Sequence, residues 1–153
     1  MFEMMRSIET DAERGVARGT ALVEADWPIF ADHFPGAPVL PGSFLIELAA
    51  QVAGPLAEEV ICLRLGLERW AMLGMIRDAK FLRHTELPAG LLLNAEVRSA
   101  EVSKVMVQVS ARAYEQEVLR AELWMMMLEA SPAWAAAIAA RRARIARWKG
   151  AAS

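Results

Sequence analysis

Two side chains stand out for the chemistry they could do together. His33 opens the stretch His33-Phe34-Pro35-Gly36-Ala37-Pro38-Val39-Leu40-Pro41-Gly42, which its prolines stiffen. Glu47 follows inside Phe44-Leu45-Ile46-Glu47-Leu48-Ala49-Ala50, where every neighbour is apolar. An imidazole suits proton transfer near neutral pH. A carboxyl among apolar groups is expected to favour its neutral form, because burying an unpartnered carboxylate is costly. A neutral carboxyl can donate a proton. A base on a rigid loop and an acid in a dry site are what general acid–base chemistry requires. The plainer alternatives are a structural loop histidine and a glutamate at the wet edge of a helix. The pairing of the two groups weighs against both.

Two further positions belong with them. Gln51 lies one helical turn beyond Glu47, on the same face. It could hydrogen-bond the carboxyl or orient a ligand, and a purely structural role is equally open. Gly42 stands where a helix begins, so nearby N–H groups lack intrahelical acceptors and can face an anion. That arrangement can stabilise a carbonyl oxygen as it gains charge. Glycine there lets a ligand approach the backbone, or merely eases the turn.

Regular elements must position these groups. Residues 4–10 and 16–25 read as strands around the turn Asp11-Ala12-Glu13-Arg14-Gly15. Trp27 to Asp32 reads as a short helical turn or loop. A helix is expected from Gly42 or Ser43, with Pro41 before it and Ser43 helping to cap. Its residues leave no polar face, the mark of a buried helix. Gly54-Pro55 is expected to bend it before a second piece from Leu56 to Leu65.

Beyond it the period changes. Trp70 to Leu82 reads as a strand. The alternations Leu91-Leu93-Ala95-Val97, Val105-Val107-Val109-Ala111-Ala113 and Leu119-Ala121-Leu123-Met125-Met127 read as antiparallel strands with one buried face. The expected class is α+β, a curled sheet around the apolar helix. From Ser131-Pro132 the chain turns alanine-rich and basic, predicting a helix to Lys149 with Ser131 as its cap. Its cations could meet an acidic carrier protein or anionic lipid. The plainer reading packs it on its own domain through Trp134, Ile138, Ile145 and Trp148. The division follows: one domain over 1–130 and a helical extension over 131–153.

Composition narrows the classes. The 153 residues are 56% hydrophobic and 24% charged, with net charge -2. Nucleic acid is not an expected partner. No apolar run is suited to spanning a membrane. Met1-Phe2-Glu3-Met4-Met5-Arg6 does not resemble a signal peptide, and a cytoplasmic location is expected. Cys62 is the only cysteine and reads as a small core hydrophobe. His84 has no second histidine or cysteine at ligand spacing, so no metal is expected.

The run from His33 to Gly42, with Leu45-Ile46-Glu47 and Ala50-Gln51, resembles the signature of the bacterial (3R)-hydroxyacyl-[acyl-carrier-protein] dehydratases of the hot-dog fold. Pro28-x-Phe30 upstream and Leu73-Gly74-Met75-Ile76-Arg77-Asp78-Ala79-Lys80-Phe81 downstream fit the same pattern. The resemblance implies His33 as catalytic histidine, Glu47 as catalytic acid and Gly42 as the backbone donor to the thioester carbonyl. It implies that the Val39 carbonyl orients the histidine, with Gln51 supporting. Glutamate at 47 matches the branch that dehydrates without isomerising. The resemblance further implies a site shared between two chains, hence a homodimer or higher oligomer, or a heterodimer with a related subunit. It implies an acyl carrier protein as partner and no metal or redox cofactor.

There are departures. Asp32 stands where many relatives have glycine, Leu40 replaces a usual methionine, and Leu87-Pro88-Ala89-Gly90 replaces a Pro-Gly-Asp turn. The basic C-terminal helix is additional. These leave open fatty-acid synthesis or a specialised polyene or polyketide-like pathway. The rival activities are thioester hydrolysis, dehydration with isomerisation, and a non-catalytic carrier-binding subunit.

Overall fold

A computed structural model describes residues 3–152. Met1 and Phe2 of the stretch weighed for a leader lie outside them. Six strands form one antiparallel sheet: β1 (Met5–Asp11), β2 (Val16–Val23), β3 (Trp70–Phe81), β4 (Ala89–Glu101), β5 (Lys104–Ala113) and β6 (Gln116–Leu128). Their spatial order is β1-β2-β4-β5-β6-β3. Helix α1 (Gly42–Leu65) packs against the sheet, touching all six strands. The alternation of apolar residues sends Leu91, Leu93, Val105, Val107, Val109, Leu119 and Leu123 to the α1 side, where each is buried. Leu48, Val52, Leu56 and Val60 meet them from the helix. This is the curled sheet around a central helix that the sequence predicts.

The helix is one continuous element, with Pro55 inside it and the left-handed Gly66 (φ 65°) ending it. The expected second piece is therefore its continuation. Ser43 does not cap. Pro41 holds the N-cap position with no side-chain bond, and Ser43 lies exposed in the first turn. Cys62 is exposed rather than buried, because the last turn of α1 runs past the packed core.

β3 lies at the sheet edge and pairs with β6 alone. Met72, Met75, Ile76, Phe81 and Leu82 are exposed along it and just beyond its end. After β6, Pro132–Trp134 make a single 3-10 turn and α2 (Ala135–Ala152) follows. Ser131 makes no side-chain cap bond, because the intervening turn separates it from α2. Ile138 and Trp148 of α2 are buried. Three of its cations are engaged within the chain: Arg141 with Glu58, Arg147 with Glu3 and Lys149 with Glu59. The helix thus packs on its own domain, and much of its charge is spent there.

Candidate active site

The His33 loop is anchored from both sides. Upstream, Phe30 is fully buried, stacks on Trp27 and meets Phe44 of α1 edge-on at 5.4 Å. The His33 N–H donates to the Phe30 carbonyl at 3.0 Å. Downstream, Val39 bridges to Glu86, the Leu40 N–H donates to Thr85 O at 2.8 Å, and the Leu87 N–H donates to Pro38 O at 3.0 Å. The Tyr114 hydroxyl reaches over from the β5–β6 turn and donates to the carbonyls of Glu86 and Pro88. Prolines remove donors and fix φ, so these few bonds hold the loop without regular structure.

His33 is exposed, with its ring stacked on Phe34 at 5.1 Å. Its carbonyl accepts from the Val39 N–H at 2.6 Å. The bond at Val39 thus runs from its N–H to the histidine's backbone, whereas the resemblance implied a role for its carbonyl. Among the described residues the imidazole itself makes no hydrogen bond.

Glu47 lies on α1, and its carboxylate accepts from Gln51 Nε2 at 2.9 Å. Of the roles open to Gln51, the hydrogen bond to the carboxyl is present. The carboxylate is exposed in the single chain, contrary to the dry setting expected for it. The reason is positional. Ile46 and Leu48 on either side are buried, while Glu47 faces the open β3 edge, where Met72 and Leu73 share its cavity. No hydrogen bond or ion pair joins His33 and Glu47 within one chain.

Gly42 opens α1 half-buried, its N–H beyond reach of any intrahelical acceptor. A Cβ here would come within 2.7 Å of the Phe81 ring. The close neighbour that a side chain here would meet is thus the aromatic end of β3, which the sequence did not reveal. Helix and strand meet there through contacts that no local pattern announces.

Residues of α2 also reach this region. The cavity that Glu47 and Gln51 line is closed on its other side by Arg141, Arg144, Ile145 and Trp148. The sequence carried a signal for this, since these four positions fall on one helical face. Its target was not legible.

A curled sheet wrapped on one long helix, with a histidine loop at the helix mouth and an acid one turn inside, defines the class. Solved structures share the fold. A Streptococcus mutans protein bound to acetyl-CoA superposes with a TM-score of 0.64 at 16% identity, covering 83% of this chain and 90% of that one. The dehydratase heterocomplex ApeI:P of Xenorhabdus doucetiae gives 0.63 at 13% identity, covering 83% and 84%. The model of the FabA-like domain matches residues 1–122. The chain belongs to that family.

Among curated relatives, the 3-hydroxyacyl-[acyl-carrier-protein] dehydratase FabZ of Zymomonas mobilis is 34% identical over 106 residues, 69% of this chain and 65% of that protein. The match therefore spans just under two thirds of that relative's length. The FabZ of Desulforamulus reducens is 35% identical over 108 residues, 71% of this chain and 72% of its own. That of Enterococcus faecalis is 32% identical over 128 residues, 82% and 87%. Helix α2 begins beyond the stretch that the family model matches.

Proposed function

We propose that this protein dehydrates a (3R)-3-hydroxyacyl thioester carried by acyl carrier protein, giving the trans-2-enoyl thioester and water. The observation that carries this reading is the placement of His33 and Glu47 on family-matched sequence. One sits on a pinned loop at the mouth of α1 and the other on α1 itself, beside a cavity of mixed lining. His33 takes the proton from the carbon next to the carbonyl. The Gly42 N–H, at the positive end of α1, stabilises the charge growing on the thioester oxygen. The electron pair closes the new double bond as the carbon–oxygen bond breaks, and Glu47 supplies the proton with which hydroxide leaves as water. The histidinium left behind returns its proton to Glu47 through solvent, and the cycle closes.

The site is completed by a second chain. His33 and Glu47 are both exposed, and no hydrogen bond or ion pair joins them within one chain. The unpaired β3 edge carries Met72, Met75 and Ile76, an apolar strip suited to pairing. We read the partner as a second copy or a related hot-dog subunit, with carrier protein as the substrate's bearer and the cytoplasm as the setting. Among the described residues no helix is long and apolar enough to cross a membrane. The catalytic unit is taken as 1–130 and the extension as 131–153. The test is hydration of a trans-2-enoyl thioester with product analysis. A 3-hydroxyacyl thioester supports the reading, whereas free acid and thiol would make the protein a thioesterase.

A further inference from the structure

Helix α2 does more than brace the domain. Glu47, Gln51 and Pro55 succeed one another along one face of α1. Arg141, Arg144, Ile145 and Trp148 form one face of α2. The two faces look at each other across a cavity of ≈ 260 Å³, with Ala71 to Leu73 of β3 and Met125 of β6 as its floor. The near end holds the Glu47 carboxylate. Arg141 lines it too, lies across Gly54 so closely that a Cβ there would stand 2.9 Å from its Nη2, and pairs with Glu58. From Glu47 to Glu58 the helix advances about 16 Å.

We infer that α2 is the outer wall of the acyl-chain pocket and that Ile145 sets the acyl length this site accepts. The inference rests on the dehydratase reading and adds to it a specificity-determining residue outside the family-matched stretch. Ala50, Pro55, Met72, Leu73, Ile145 and Trp148 supply an apolar lining suited to an aliphatic or polyene tail, with Gln51 and Arg144 set among them. An apolar tail gains about fourfold in binding for each methylene it buries. It gains nothing where the Arg141–Glu58 pair bars the way, since displacing that pair would leave charges without partners. The cavity is small for a ligand site, so a short or medium chain fits and a long one meets α2. Ile145 is half-buried, not part of the packed centre, so its size can change without emptying the core.

The experiment compares the whole protein with its Ile145→Trp and Ile145→Ala variants on trans-2-enoyl N-acetylcysteamine thioesters of increasing length. Ile145→Trp is expected to cut kcat/KM for the longest chain at least tenfold more than for the shortest. Ile145→Ala is expected to move the preference the other way. A general folding defect would lower all lengths together, so parallel changes in both variants, or none, overturn the proposal. A cleft occupied by a second chain would shift the oligomeric state and leave the length profile unmoved, which also overturns it. Titration with acyl-pantetheine amides, which bind without reacting, separates the two failures. Length-dependent binding that follows the Ile145 variants without turnover keeps the wall and removes the dehydratase reading. Turnover with an unmoved length profile does the reverse.

Discussion

Arg141 of α2 donates to the Glu58 carboxylate of α1 at 2.5 Å, across 83 positions of sequence. The same carboxylate oxygen accepts the Ala71 N–H at 2.7 Å. One half-buried acid thereby ties the extension, the central helix and the start of β3 together. Removing Arg141 leaves that acid partly buried without its charge partner. Arg141→Ala is expected to cost about 1–3 kcal/mol, below the cost of breaking a fully buried pair because water still reaches both groups. Urea unfolding should show a lower midpoint at unchanged slope. An unchanged midpoint would mean that α2 does not support the fold through this pair.

The same acid gives stability a pH dependence of known sign. Burial pushes the Glu58 carboxyl above its ordinary value, against the pull of Arg141 and the bond from the Ala71 N–H. Between the ordinary and the raised value the native state holds a proton that the unfolded state has lost, so stability falls as pH rises through that window. Glu3 and Glu117 act oppositely. The Trp148 indole N–H lowers Glu3, and the Arg120 side chain lowers Glu117. Their contribution is present above the ordinary carboxylate value and is lost as pH falls through the lowered one. Glu58→Gln should therefore remove the decline toward neutral pH and leave the acid-side loss in place. The measurement is the urea midpoint of both proteins across that range. Superposable curves would show that Glu58 does not titrate as its burial requires.

Gly42 and Phe81 make a separable test of the helix mouth. A methyl at Gly42 would press on the Phe81 ring, which is exposed and can swing away. Gly42→Ala should then fold, with a modest cost in stability. Its turnover should fall by about tenfold or more as the donor N–H shifts from the developing oxyanion. Adding Phe81→Leu should recover stability. If it also restores full turnover, the clash and not substrate approach was the reason for glycine.

The sequence made the loop and the central helix legible because both are local. Prolines fix backbone angles within a few residues, and Phe44 to Ala53 declare their burial by type. The strands from Leu91 to Met127 were equally open to reading, since one face alternates. What escaped is what depends on distant partners. Glu47 reads as buried from its neighbours, yet its carboxylate faces the β3 edge and a cavity walled by α2. Cys62 reads as core by composition, yet sits in the last turn of α1 past the sheet. The basic helix from Arg141 reads as packing on its own domain through its apolar residues, but the acids that meet its cations, Glu3, Glu58 and Glu59, lie too far away in sequence to be read.

On the proposed reading, His33 and Glu47 meet across two chains. Each of His33→Ala and Glu47→Gln should lower enoyl hydration by about a hundred- to ten-thousand-fold with the fold intact by circular dichroism. Within one chain no hydrogen bond or ion pair joins these side chains, and both are exposed. If each site takes histidine from one chain and acid from the other, a mixed dimer of the two variants holds one site with both defects and one with neither. Mixing the inactive proteins and allowing exchange should restore activity, approaching one quarter of wild type, because about half the dimers are mixed and each has one intact site of two. Exchange is followed independently with differently tagged chains on native gels. Demonstrated exchange without recovered hydration would place both groups in one subunit's site and remove the shared-site reading.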